Sequence, residues 1–263
     1  KPHPGAILPL AITVKMGREV LSEAGFDPNV LQLAADTVEA PLTKDFVTHP
    51  DIAIIDFTGS PAFGKWVREN AGDKLVYTEE AGVNSIVVTG TDSLRGMAGN
   101  IGFSLSLYSG QMCTAPQNIY VPRGGIETDE GHKSFDEVAA AIATAVDKLL
   151  GDPARAAGVL GAVQSQATLE RIDAARGLGK ILRDSTSVEG MDGARSATPL
   201  ILAVDAKDED AYLEERFGPI SFIIATDDAD EAIARAAASA KSRGAITAAL
   251  YATDETLVDK AAD

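Results

Sequence analysis

Apolar residues recur along this chain in two rhythms that alternate. From about Ile7 to Ala24 the positions Leu8, Leu10, Ala11, Val14, Met16, Val20 and Leu21 fall at helical spacing, and the pattern stops at Gly25. Val30–Ala34 predicts a buried strand, and a short helix is expected around Ala40–Phe46. Ile52–Thr58 is a β-branched run that fits a parallel strand covered on both faces; it breaks at Gly59-Ser60-Pro61 and passes into a helix over Ala62–Glu69. Further strands are expected at Ser85–Val88, Asn118–Val121, Lys180–Leu182, Leu200–Val204, Ile220–Ala225 and Ile246–Tyr251. Helices are expected at about Ser93–Leu107, Ser134–Leu150, Gln164–Arg176 and Ala229–Ser242, with Gly151-Asp152-Pro153 stopping the second of them. The stretch Asp205–Glu215 reads as a solvated loop with a short helix. Strands alternating with helices predict an α/β fold around a parallel sheet.

Composition narrows the class. With 263 residues the chain has room for two domains. Hydrophobic residues make up 45% and the mean hydropathy is +0.03, which suits a soluble globular protein. No apolar run approaches the roughly 18 residues needed to cross a bilayer, and no secretory signal opens the chain. A net charge of −16 disfavours nucleic acid, whose phosphates it repels. A single cysteine gives no sign of an oxidising compartment, so the cytoplasm is expected. The first residue is Lys1 rather than Met, and Lys1-Pro2-His3-Pro4-Gly5 reads as the end of an extended segment, so the chain is expected to be a piece of a longer protein.

Three clusters can carry chemistry. The only cysteine, Cys113, lies in Ser109-Gly110-Gln111-Met112-Cys113-Thr114-Ala115-Pro116-Gln117. A lone thiol forms no intrachain disulfide and no cysteine metal site, which leaves a buried structural residue, a chance surface thiol or a nucleophile. Gly110 permits a sharp turn before the sulfur and Pro116 fixes the chain after it. Gly59-Ser60-Pro61 marks a helix start, with Ser60 as cap and Pro61 at the first position; such a turn is either a plain cap or an anion site for phosphate. Glu79-Glu80-Ala81-Gly82 places a carboxylate pair at a junction, either as solvated charges or as a general base. Glu214-Glu215-Arg216-Phe217-Gly218-Pro219 alone is an ordinary loop. His3, His49 and His132 show no metal-ligand spacing, and no metal is expected. Trp66 reads as a packing residue.

In order along the chain, Lys1-Pro2, Phe57-Thr58-Gly59-Ser60, Glu80-Ala81-Gly82, Gly110-Gln111-Met112-Cys113 and Glu215-Arg216-Phe217-Gly218-Pro219 resemble the motif series of the aldehyde dehydrogenase superfamily, from end to end. Met112–Gln117 and Val121-Pro122-Arg123 look most like its phenylacetate-degradation branch. The resemblance implies an aldehyde dehydrogenase-like α/β fold. Residues 1–80 would be the C-terminal part of an NAD(P)-binding domain with a partial Rossmann-type sheet, and residues 81–263 the catalytic domain, the chain lacking both ends of the full enzyme. It implies NAD(P)-dependent oxidation of an aldehyde or semialdehyde to a carboxylic acid, with Cys113 as nucleophile and Glu80 as the base that activates water. Glu79 competes for the second role, since Ala81 and Val83 depart from the family pattern. Lys1 would hold the adenosine ribose, Gly59 and Ser60 would sit near the pyrophosphate, and Glu215 and Phe217 would hold the nicotinamide end. Pro4 stands where NAD-preferring members carry an acid, so NAD and NADP are both admitted. The family's oxyanion asparagine lies upstream of Lys1, so the piece alone is expected to be inactive. The resemblance also implies a homo-oligomer, a dimer or tetramer, at full length. The alternatives are a CoA-acylating relative, which Glu80 disfavours, and a non-catalytic structural relative, which Cys113, Glu80 and Glu215 together disfavour.

Overall fold

Ser60 accepts a hydrogen bond from the Phe63 N–H at 3.4 Å and Pro61 takes the first helical position, so strand and helix change over where the sequence places the break. β1 (Ile54–Gly59) precedes this cap and α3 (Pro61–Asn70) follows it. Ahead of them lie α1 (Ile7–Glu23) and α2 (Thr43–Thr48); after them comes β2 (Leu75–Glu80), parallel to β1 and in register from Ile54↔Leu75 to Gly59↔Glu80. This is a computed structural model, and it describes every residue of 1–263 except Ala81, Asp192 and Asp263. The chain divides into two units, Lys1–Glu80 and Ala81–Asp263.

Two expectations for the first unit change. Val30–Ala34 forms no strand: Asp27 caps a 3-10 turn over Pro28–Val30, and the extended backbone that follows pairs with no described strand. Arg18 instead holds it by donating to the Leu31 carbonyl at 2.9 Å. β1 is covered on one face only, with Val67, Ala71, Phe63 and Trp66 of the α3 segment packed beneath Ile55 and Phe57, while Ile54, Leu75 and Tyr77 are exposed.

The second unit is built on a six-stranded sheet of order β11-β3-β5-β10-β9-β8. Its strands are β3 (Ser85–Val88), β5 (Asn118–Pro122), β8 (Lys180–Arg183), β9 (Leu200–Asp205), β10 (Ile220–Thr226) and β11 (Ala248–Tyr251), all parallel except β8. Ile86, Val88, Ile119, Val121 and Ile223 point to a layer holding α4 (Leu94–Ser106) and α5 (Phe135–Leu150). Val87, Tyr120, Leu202, Phe222 and Ile224 point the other way, to α7 (Gln166–Ala175) and α9 (Ala229–Arg243). The period of two sorts one strand's side chains between two cores, and each fully buried aliphatic side chain contributes roughly 1.5–3 kcal/mol. A small sheet of β4 (Gly90–Thr91), β6 (Ile126–Thr128) and β7 (Gly131–Lys133) completes the strands. α6 (Pro153–Leu160), α8 (Glu209–Tyr212) and α10 (Glu255–Ala262) complete the helices. Gly151-Asp152-Pro153 not only stops α5 but also starts α6, because Asp152 accepts from the Arg155 N–H at 2.8 Å. No described helix is long and apolar enough to cross a membrane.

Candidate active site

Four segments meet at the amino-terminal edge of the parallel sheet, each the entrance to a strand: Gly82–Asn84 before β3, Cys113–Gln117 before β5, Glu215–Pro219 before β10 and Ile246–Thr247 before β11. Open α/β sheets usually bind ligands at the opposite, carboxyl edge. Here Cys113, Glu215 and Phe217 line one pocket at the amino edge. Cys113 is exposed.

The thiol loop is held by Asn84, to which the sequence reading gives no role. Asn84 is 2% exposed. Its side-chain N–H groups donate to the carbonyls of Cys113 at 2.7 Å and Ala115 at 3.1 Å. Its Oδ1 accepts the Ile246 and Thr247 N–H groups at 2.8 and 3.0 Å. One amide therefore fixes the loop on both sides of the sulfur and ties it to the entrance of β11. Gln117, also buried, does the same for the neighbouring loop: it donates to the Tyr212 and Glu214 carbonyls at 3.0 and 3.1 Å and accepts from the Arg216 N–H at 2.7 Å. A buried amide with all its valences used is a rigid clamp, and such polar residues give no periodic signal by which sequence inspection finds them.

Upstream, Tyr108, Ser109 and Gly110 are all left-handed, with φ of 51°, 53° and 62°. Two non-glycine residues in that region are strained and persist only where the surroundings dictate it. The buried Ser109 hydroxyl shares its proton between the Leu160 and Ala197 carbonyls, each at 3.1 Å. A Cβ on Gly110 would overlap the Gly218 carbonyl oxygen, so the thiol loop and the Glu215–Pro219 loop touch backbone to backbone. Gln111 anchors the same loop outward, donating to the Ala162 carbonyl at 3.0 Å and accepting from the Gln164 N–H at 2.9 Å.

Glu215 is half-buried, and burial pushes its carboxyl above the ordinary value, against the opposing pull of Arg171. Arg171 donates to the Phe217 carbonyl, and the Phe217 ring is left 40% exposed, a flat apolar surface at the pocket. Among the described residues no group of three or more His, Cys, Asp or Glu is placed to hold a metal ion.

The remaining predicted residues lie in the first unit. Glu80 ends β2, opposite Gly59 of β1. Its carboxylate pairs with Arg68 and lies against Gly64, where any Cβ would collide with it. The Phe57 ring fills the space beside Gly59, which gives that glycine a packing role as well. Ser60 is the cap of α3. Lys1 pairs at 2.9 Å with Asp36, a buried acid that the sequence reading did not single out.

The sequence model of the aldehyde dehydrogenase family matches residues 9–263. The fold superposes with a TM-score of 0.94 on the crystal structure of an NAD-dependent aldehyde dehydrogenase from Burkholderia multivorans, 53% identical, over 99% of this chain and 47% of that one. A Mycobacterium tuberculosis aldehyde dehydrogenase complexed with NAD+ is 26% identical, with a TM-score of 0.72 over 93% of this chain and 49% of that one. A betaine aldehyde dehydrogenase of Rhizobium leguminosarum bv. trifolii (strain WSM2304) is 32% identical over 233 residues, 84% of this chain and 45% of that protein. The chain thus spans about half the length of these relatives.

Proposed function

The chain belongs to the aldehyde dehydrogenase family, and from that premise we propose that it oxidises an aldehyde or semialdehyde to the carboxylic acid, with Cys113 as nucleophile and a nicotinamide dinucleotide as oxidant. The observation that supports this reading best is the chain's single thiol, exposed in a pocket it shares with Glu215 and Phe217 and held there by Asn84. The Cys113 thiolate attacks the carbonyl carbon, forming a thiohemiacetal. The Cys113 N–H, which donates to no acceptor among the described residues, is available to the developing oxyanion. When bound, the nicotinamide would supply the hydride acceptor; one related enzyme is NAD-dependent and another is complexed with NAD+. Water then cleaves the Cys113 thioester, Glu80 taking its proton, and the acid and the thiolate are released.

The residues present fit a dinucleotide. Asp36 carries a buried oxygen with no donor among the described residues and pairs with the ammonium of Lys1, which suits a ribose hydroxyl. The Gly59–Ser60 turn opens a capped helix suited to a phosphate. Glu215 and Phe217 would hold the nicotinamide end. The run Met112–Gln117 with Val121-Pro122-Arg123 supports a place in aromatic-acid breakdown, on a semialdehyde of the phenylacetate type.

The test is reduction of NAD or NADP by the full-length protein across a panel of aromatic aldehydes and semialdehydes. Cys113→Ala should abolish turnover, and Glu80→Gln should leave an acyl group on Cys113 visible by intact mass. Turnover unchanged in Cys113→Ala overturns the nucleophile; a product formed only with CoA overturns the hydrolytic step.

A further inference from the structure

Gln111, two residues before Cys113, is held at three points. Its Nε2 donates to the Tyr108 and Ala162 carbonyls, both at 3.0 Å, and its Oε1 accepts the Gln164 N–H at 2.9 Å. The aim of the thiol therefore depends on where residues 162–164 lie. That stretch joins α6 to α7 and belongs to neither helix nor strand, so no ladder fixes it. Arg195 fixes it instead. The Val163 N–H donates to the Arg195 carbonyl at 2.8 Å. The Arg195 guanidinium donates back, from Nε to the Val163 carbonyl at 3.2 Å and from Nη2 to the Gln164 carbonyl at 2.6 Å. Two adjacent carbonyls suit the planar fork of a guanidinium, and bonds from a charged donor are the stronger kind. Two residues on, the Ala197 carbonyl accepts the buried Ser109 hydroxyl, so the same stretch also meets the thiol loop directly.

We infer that Arg195 is a positioning residue for the Cys113 thiol, acting through Gln164 and Gln111. This rests on the proposed function only in taking Cys113 as the nucleophile. Arg195 and Gln164 are exposed, so water takes up most of what the guanidinium releases and the fold keeps its stability without it. The loss falls on geometry. The segment then keeps only the backbone bond from Val163 to residue 195, and the Gln164 N–H no longer holds the Gln111 oxygen in one place. The sulfur two residues away shifts with it. A displacement near 1 Å at a reacting atom costs about a hundredfold in rate, and the surviving backbone bond limits the shift, so about tenfold is expected. The Glu215–Pro219 loop is held separately, by Gln117 and Arg171, and the cofactor end of the pocket stays in place.

The test compares full-length wild type, Arg195→Ala, Gln111→Ala and the double variant by kcat for aldehyde oxidation, NADH titration and the rate of Cys113 alkylation by iodoacetamide. Arg195→Ala should lower kcat about tenfold, slow or speed alkylation of Cys113, and leave the NADH Kd within about twofold of wild type. Arg195→Lys keeps the charge without the fork and should recover only part of the loss. In the Gln111→Ala background Arg195→Ala should change kcat by less than about twofold, because the link is already cut. Circular dichroism confirms that each variant is folded; if Arg195→Ala is not, Arg195→Lys is read in its place in both backgrounds. Wild-type kcat and alkylation in Arg195→Ala, an equal fold loss in both backgrounds, or NADH affinity that falls along with kcat overturns the inference and spares the proposed function. A wild type that oxidises no aldehyde overturns the proposed function, and the alkylation rates of the same four proteins then decide the inference by the same comparison.

Discussion

Asn84→Ala removes the side chain that joins the thiol loop to the entrance of β11. Four hydrogen bonds go with it: those to the Cys113 and Ala115 carbonyls and those from the Ile246 and Thr247 N–H groups. At a net 0.5–1.5 kcal/mol for each neutral bond, the loss is about 2–6 kcal/mol. Cys113, Ile246 and Thr247 are exposed and Ala115 is half-buried, so water replaces part of it. The lower half of that range applies, about 2–4 kcal/mol. The loop is then free to shift, and a displacement near 1 Å at a reacting atom costs about a hundredfold in rate. Urea unfolding reads the first effect; aldehyde turnover by the full-length protein, together with Cys113 alkylation by iodoacetamide, reads the second. Asn84→Asp makes the reasoning sharper. It is nearly isosteric and keeps the acceptors for Ile246 and Thr247, yet it sets a carboxylate against two carbonyl oxygens. It should be at least as damaging as alanine, whereas loss of packing alone predicts a mild effect. A tolerated aspartate, or an alanine variant that loses less than about 0.5 kcal/mol, the size of an ordinary surface change, would refute the argument.

Other expectations follow from the same loops and from the helix cap. Gly110→Ala should cost at least about 2 kcal/mol by thermal unfolding and abolish turnover, since alanine at φ 62° is strained and its Cβ would lie 2.7 Å from the Gly218 carbonyl carbon. Glu215→Gln should be more stable than wild type at neutral pH. Burial raises the folded carboxyl above its ordinary value of 4.5, so the folded state holds the proton longer and stability falls as pH rises through that window. The difference in urea midpoint should vanish below pH 4.5, while cofactor affinity falls in the variant. Ser60→Ala should cost about 0.5–1 kcal/mol, the low end for a cap, because its bond to the Phe63 N–H is long at 3.4 Å; unchanged NADH affinity in that variant would leave capping as its whole role.

Buried strands were legible because their signal is local: Ser85–Val88, Leu200–Asp205 and Ile220–Thr226 are predominantly apolar runs, and each forms a strand between covering helices. Val30–Ala34 has the same composition and fails, since a strand needs a partner that no local pattern can promise. Leu75–Glu80 went unmarked for the converse reason: Tyr77, Thr78, Glu79 and Glu80 look like a loop, but β1 pairs with them throughout. Among the residues of the candidate site, Cys113 stood out by being single, and Glu215 and Phe217 by their order behind it. Asn84, Gln117 and Asp36 are ordinary polar residues in sequence. What distinguishes them is burial with particular partners far along the chain, which exists only after folding.

The sheet order sets the last strand, β11, beside the first, β3, and this fixes when the thiol loop can be completed. The bonds from Asn84 to Ile246 and Thr247 span 162 and 163 residues. During synthesis β3, β5 and β10 leave the ribosome well before β11, so Cys113 emerges on a loop whose clamp lacks half of its partners. Contacts of such long range form late and slowly. The thiol therefore gains its fixed orientation only when the end of the unit docks, and a nascent or truncated chain carries the cysteine without its aim.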